Sequence, residues 1–358
     1  MIDIKHFELP IELTDIACVT DCWIFNRLII IKNSIHYNDW IASHYNLFAN
    51  SIYNFHFGEL NITDPNYHDD ILERKPFNIF KTDEKNVISE LSQKVLDGYY
   101  INLFIKLRKD IDKYHEVVIY GFDNATNSFL VVGLKNQGFE KMDLPYDFLI
   151  ETWSQIKEYF ITKCFRGIEL SMNYQHPASL FKLKESYNIE NCTVEAYKKL
   201  RKELYGSKIS ISSSQEFLDY KNSSIQYTGI ECLCAAYFMI SEELKKDNLE
   251  ICIRRIISAI KKLYEHRKMI LLSMNYIYGK WMKCMNNETI KYLEAYRENC
   301  KIFEKWLNLS LHYELTKTRK DLEIILNELP NVYKKEKIIL DNFINHTINW
   351  DSYNKLFV

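Results

Sequence analysis

Cys22 follows two residues that favour helix caps, Thr20 and Asp21, and precedes the run WIFNRLIIIK, whose apolar residues have helical spacing. That order predicts a buried helix over 22–33 with the thiol in its first turn. There the helix dipole and the unpaired backbone N–H groups favour a thiolate, and the same N–H groups can stabilise an oxyanion. A thiolate nucleophile needs a base from elsewhere in the fold. His115 opens HEVVIYGF, a run of β formers, and a strand end is a rigid place to hold an imidazole. Cys18 is the rival nucleophile, but it lies one turn earlier, ahead of the cap residues. Cys18 with Cys22, or Cys232 with Cys234, lacks the second Cys/His pair that a metal site needs. The other nine histidines form no H-x-x-x-H or H-E-x-x-H pattern and read as surface or satisfied core. The adjacent Asp69 and Asp70 read as a solvated loop.

Around these two residues the chain predicts a helix over 37–50, an irregular stretch over 58–82 marked by Gly58, Pro65 and Pro76, and an amphipathic helix in KNVISELSQKVLDG stopped at Gly98. Strands follow at 99–107, 115–122 and 128–134, the last two forming an antiparallel hairpin across the turn DNATN. A helix over 144–159 starts at Pro145. Beyond about residue 160 the texture is helical: 192–205, 225–246, 249–285, 287–313, 315–328 and 331–348, with SKISISSS (207–214) as an internal loop.

The chain has 358 residues with 9 Gly and 6 Pro, too few for collagen-like, Pro-rich or Gly-linker proteins, and no G-x-G-x-x-G or P-loop pattern occurs. Residues 1–160 hold 15 Lys and Arg against 24 Asp and Glu, and residues 161–358 hold 31 against 24. This asymmetry predicts two domains, 1–160 and 161–358. The overall charge of −2 gives no general pull toward nucleic acid or membrane. Basic runs at Lys198, Lys199, Arg201 and Lys202, and at Arg254, Arg255, Lys261 and Lys262, read either as solvated helix faces or as a dock for an acidic partner. Nine cysteines in a chain of this size, with no signal-peptide pattern and no apolar run long enough to span a bilayer, predict a cytoplasmic protein.

A Cys on a helix followed by a His on a strand is the papain chain order. TDCWIFNRLIIIK resembles the nucleophile helix of papain-like, C39-type domains, and YHEVVIYGFDNATNSFLVVGL resembles their His strand and hairpin. YDFLIETW resembles the helix that follows in the family of the butirosin biosynthesis protein H type, whose members add a helical C-terminal domain. More distantly, the chain is similar to the amide-forming enzyme of the closthioamide pathway. The resemblance covers roughly residues 10–160 by motif and the rest by architecture. It implies an α+β fold, with a papain-like domain built on an antiparallel sheet followed by an all-helical domain. It also implies a cysteine acyltransferase that moves an acyl or peptidyl group from a carrier-protein thioester, through an acyl-Cys22 intermediate, to a small-molecule amine in natural-product biosynthesis. Cys22 would be the nucleophile and His115 the general base. No cofactor or metal is implied beyond the carrier's phosphopantetheine arm.

The family pattern usually has an Asp at the end of the strand after the hairpin, and that place falls at Gly133. Asn136 is the nearest polar residue past the strand end, and Asn serves this role in papain-like enzymes. Asp143 and Asp147 are further candidates, while Asp123 sits at the opposite end of the hairpin. The Gln that papain-like enzymes place a few residues before the nucleophile is missing from Ile16 to Asp21; Thr20 is a weak substitute. A cysteine hydrolase (C39-like peptidase or thioesterase) and a non-catalytic binding protein on a degenerate site are the alternatives, and a homodimer is left open.

Overall fold

The computed structural model describes residues 4–20, 22–51, 54–58, 68–108, 111–135, 138–159, 178–206, 208–210, 225–246 and 253–346. The fold is α+β, with two antiparallel sheets and, among the described residues, nine α-helices. In chain order the first half contains β1 (His6–Glu8), α1 (Cys22–Ile31), α2 (Tyr37–Ser43), β2 (Asn46–Ser51), β3 (Asn54–Gly58), β4 (Leu72–Phe77), α3 (Val87–Leu96), β5 (Tyr100–Arg108), β6 (Ile111–Asp123), β7 (Ser128–Lys135), β8 (Gly138–Pro145) and α4 (Tyr146–Tyr159). The second half contains β9 (Ala178–Leu183), α5 (Cys192–Leu204), β10 (Lys208–Ser210), β11 (Ile225–Thr228), α6 (Cys232–Leu244), α7 (Ile253–Trp281), α8 (Thr289–Thr316) and α9 (Arg319–His346). Among the described residues no helix is long and apolar enough to cross a membrane.

The chain forms two compact units that interleave instead of dividing at 160/161. Met1–Tyr37 and Asn61–Tyr187 make one, and Asn38–Leu60 and Asn188–Val358 make the other. The first is built on a seven-stranded sheet in the order β4-β9-β5-β6-β7-β8, with β1 paired to the end of β6. β9 keeps this unit open until residue 183, because it inserts between β4 and β5. The stretch read as irregular thus contains β4. Pro76 is tolerated there because β4 is the edge strand, where a missing N–H breaks no ladder. On the sheet, Val87, Leu91 and Val95 of α3 and Leu149, Trp153 and Ile156 of α4 share a core with Ile101, Leu103, Ile105, Val117, Ile119 and Val131. Trp153, fully buried, also donates its Nε1–H to the Thr82 carbonyl at 3.0 Å. Removing its side chain would cost about 3–5 kcal/mol. α1 packs against β6 and β9, and Ile24, Leu28, Ile29, Ile30 and Ile31 are wholly buried, as expected of a helix that is apolar on most sides.

The second unit is not all-helical. A four-stranded sheet, β10-β11-β2-β3, accompanies α5 to α9. One of its strands, β2, comes from the stretch predicted to continue a helix to residue 50. That helix stops at Ser43, whose hydroxyl turns back to the Trp40 carbonyl, and Tyr45 takes a positive φ of 61°. After it, burial of Tyr45, Leu47 and Ala49 follows a period of two. The predicted helix over 225–246 begins as β11 and a short 3-10 turn before α6, and the loop at 207–214 begins as β10. The two helices predicted on either side of Pro330 are one helix, α9, because the buried face Leu322, Ile325, Leu329, Val332, Ile339, Leu340 and Phe343 runs straight through the proline.

Candidate active site

α1 begins at Cys22, so the backbone places this residue in the first helical turn; its side chain lies outside the described part. Helical register puts position 22 on the same face as residues 25 and 26. That face meets the large sheet. Phe25 stacks on Phe139 of β8, with ring centroids 3.9 Å apart. Asn26 donates its Nδ2–H to Asn102 Oδ1 of β5 at 2.9 Å, and both residues are buried.

His115 lies within β6 and does not open it; it pairs with Ile105 of β5. β6 starts earlier because residues 111–114 already pair back on β5. The half-buried imidazole places Nδ1 2.9 Å from the Glu116 carbonyl oxygen. A carbonyl only accepts, so in the neutral ring the proton sits on Nδ1 and Nε2 keeps its lone pair. The ring centroid is 6.5 Å from that of Phe139, the ring on which Phe25 stacks. Phe139 therefore stands between a residue one turn from Cys22 and the imidazole.

The candidates for the third member fall in different places. Asn136 lies outside the described residues. It directly follows Lys135, which pairs with Gly138 and stands three residues beyond Val132, as His115 stands three before Val132's partner Val118. A β-carbon on Gly133 would come within 2.8 Å of both Val117 Cγ1 and Met142 Cε, so an aspartate here would require both side chains to shift. Asp123 is eight residues along β6 from His115, roughly 27 Å at strand rise. Its carboxylate accepts from Ala125 N–H at 2.8 Å and pairs with His6 at 3.4 Å, and these bonds, those to the backbone first, hold it below the usual carboxylate range. Asp143 is exposed opposite Leu130, and Asp147 is exposed in the first turn of α4. Cys18 is fully buried ahead of α1.

Glu116 was not picked out by the sequence reading. It is 3% exposed, and burial raises its carboxyl above the usual range while Arg27, a hydrogen bond from Asn102 and His115 draw it back. Its Oε2 has no hydrogen-bond partner among the described residues. The only sequence signal is a carboxylate directly before the apolar run Val117-Val118-Ile119 of β6.

The basic runs are also altered. Lys199 is buried, donating to the Ile41 carbonyl at 3.3 Å and to Ser273 Oγ at 3.2 Å, and burial pushes its amine down to about 7. Lys262 is buried and donates to the Phe55 carbonyl at 2.7 Å. Lys198, Arg201, Lys202, Arg254 and Arg255 are exposed, with Lys198 paired to Glu195 at 2.7 Å. Nearby in the same unit, His266 Nε2 is 2.9 Å from Glu203 Oε1 and its Nδ1 is 3.2 Å from Arg267 Nη1. A guanidinium only donates, so Nδ1 accepts and Nε2 carries the proton to Glu203. Arg267 also pairs with Glu336 at 3.2 Å, which accepts from Tyr296 at 2.8 Å. With both ring nitrogens engaged, His266 is a buried structural residue and offers no base.

No protein-family model matches the chain, and no curated protein matches it.

Proposed function

We propose that the chain is a cysteine acyltransferase on a papain-like, C39-type unit, taking an acyl or peptidyl group from a carrier-protein thioester to an amine. The observation that carries this reading is the contact of His115 Nδ1 with the Glu116 carbonyl, which assigns the ring proton to Nδ1. Its Nδ1–H is taken up by the Glu116 carbonyl, and its basic Nε2 belongs to a ring beside Phe139, on which the Cys22 helix is stacked. The backbone carbonyl supplies the orienting contact for which the family pattern uses a carboxylate.

The chemistry follows. His115 Nε2 takes the Cys22 thiol proton, and the thiolate attacks the thioester carbonyl. The tetrahedral oxyanion collapses with loss of the carrier thiolate, which receives the proton from His115 and leaves acyl-Cys22. An amine then attacks this thioester, its proton passes to Nε2, and the Cys22 thiolate departs to be reprotonated, leaving an amide. Backbone N–H groups of the first turn of α1 suit the oxyanion. The partner is a carrier protein drawn to the exposed basic residues, and the setting is cytoplasmic. Free buried thiols at Cys232, Cys284 and Cys300 suit a reducing compartment.

The test is intact mass after incubation with an acyl-pantetheine thioester. The expected result is an acyl adduct that is absent in Cys22→Ala and converts to amide when amines are added. Release of free acid with no amide favours the hydrolase, and no adduct at all overturns both.

A further inference from the structure

We infer that Glu116 is a positioning residue that sets the Cys22 helix in register with the His115 strand, an inference that rests on the reading of that pair given above. Its two ends act in different directions. Its carbonyl holds His115 Nδ1–H at 2.9 Å. Its carboxyl, carried by the same residue, accepts from Asn102, whose Oδ1 in turn accepts from Asn26 at 2.9 Å. Asn26 is one helical turn after Cys22. One residue thus joins both candidate catalytic positions through three consecutive contacts. A buried ionised carboxylate with Oε2 unpartnered would be costly, so the group serves as a neutral acceptor. Arg27 and His115 are the charged or titratable groups acting on it.

The experiment follows two readouts in the full chain: the NMR titration of His115 and the rate of Cys22 alkylation by iodoacetamide across pH. Glu116→Gln keeps the acceptor and should leave alkylation within about twofold of the parent. Glu116→Ala keeps the backbone carbonyl but releases it from the Asn102 anchor, so it should slow alkylation by about tenfold or more and, through the shifted carbonyl, move the His115 midpoint by about 0.5 pH unit or more. Asn26→Ala breaks only the helix side; it should slow alkylation by about tenfold and leave the His115 midpoint in place. It also replaces Glu116→Ala should that variant not fold. Parent-like alkylation in Asn26→Ala, or equal damage in Glu116→Gln and Glu116→Ala, overturns the inference. If the parent's Cys22 reacts no faster than in His115→Ala, the acyl-transfer reading fails instead, while the His115 midpoints in the Glu116 variants still decide the positioning role.

Discussion

A β-carbon on Gly133 meets Val117 and Met142 at 2.8 Å, so an aspartate at this position would have to displace both side chains. Gly133→Asp should destabilise the fold by about 3 kcal/mol or more, because a carboxylate would be forced against apolar side chains. Denaturant unfolding checks this; a variant as stable as the parent with faster acyl transfer would show that the carboxylate is accommodated after all. Asp123→Ala should leave acyl transfer within about twofold of the parent, since its carboxylate serves the turn at 125–126, whereas His115→Ala should abolish it. A rate loss in Asp123→Ala comparable to that of His115→Ala would contradict the assignment. At this scale the sequence was legible where a residue type advertises its surroundings. Cap residues mark the start of the Cys22 helix, and a turn cluster marks the β6–β7 hairpin. Glu116, Asn102 and Asn26 were not legible, because burial and partners separated by 76 residues in the chain leave no local trace.

Helix α9 carries Pro330 in its interior with an exposed side chain. A proline there removes one backbone hydrogen bond and crowds the preceding turn. Pro330→Ala should therefore raise stability by about 1–3 kcal/mol, read from thermal or denaturant unfolding. An unchanged or lower stability would mean that the proline itself contributes to the packing of α9. Helices α3 and α5 were readable from periodicity, since each buries one face, and the β6–β7 hairpin from its β formers and turn residues, with β6 buried on both faces from 116 to 122. β2 was not, because YNDWIASHYNLFAN keeps helix-like spacing past the point where Tyr45 turns the backbone. β4 and β9 were missed because their pairing is non-local and an edge proline disguises one of them.

Across the second unit, the segment 38–60 is held by side chains from later helices. Tyr276 donates to Asp39 at 2.7 Å, Lys199 to Ile41, Ser273 to Ala42 and Lys262 to Phe55. A fragment of residues 188–358 lacks these acceptors and two strands of its sheet. It should show little cooperative unfolding by circular dichroism until a 38–60 peptide is added; a cooperative fragment alone would overturn this. Lys199 also gives the unit a pH dependence. Its amine titrates near 7 when folded and near 10.5 when unfolded, so the unfolded chain binds more protons between those values. Stability should rise with pH across that window, by at most about 5 kcal/mol, and the cost is fully present below pH 7. Lys199→Met should flatten the rise; a slope as steep as the parent's would assign it to another group.

The segment that follows the Cys22 helix has consequences for synthesis. Asp39 meets Tyr276 across 237 residues of chain. At 5–20 residues per second, residues 38–60 would wait about 10–45 s for α7 to emerge from the ribosome. The β9 strand that fills the large sheet arrives well before then. Folding on the ribosome should therefore complete the unit bearing Cys22 and His115 first, while residues 38–60 still await α7. A chaperone, or simple proximity to the growing chain, would have to shield Tyr45 and Leu47 during that interval.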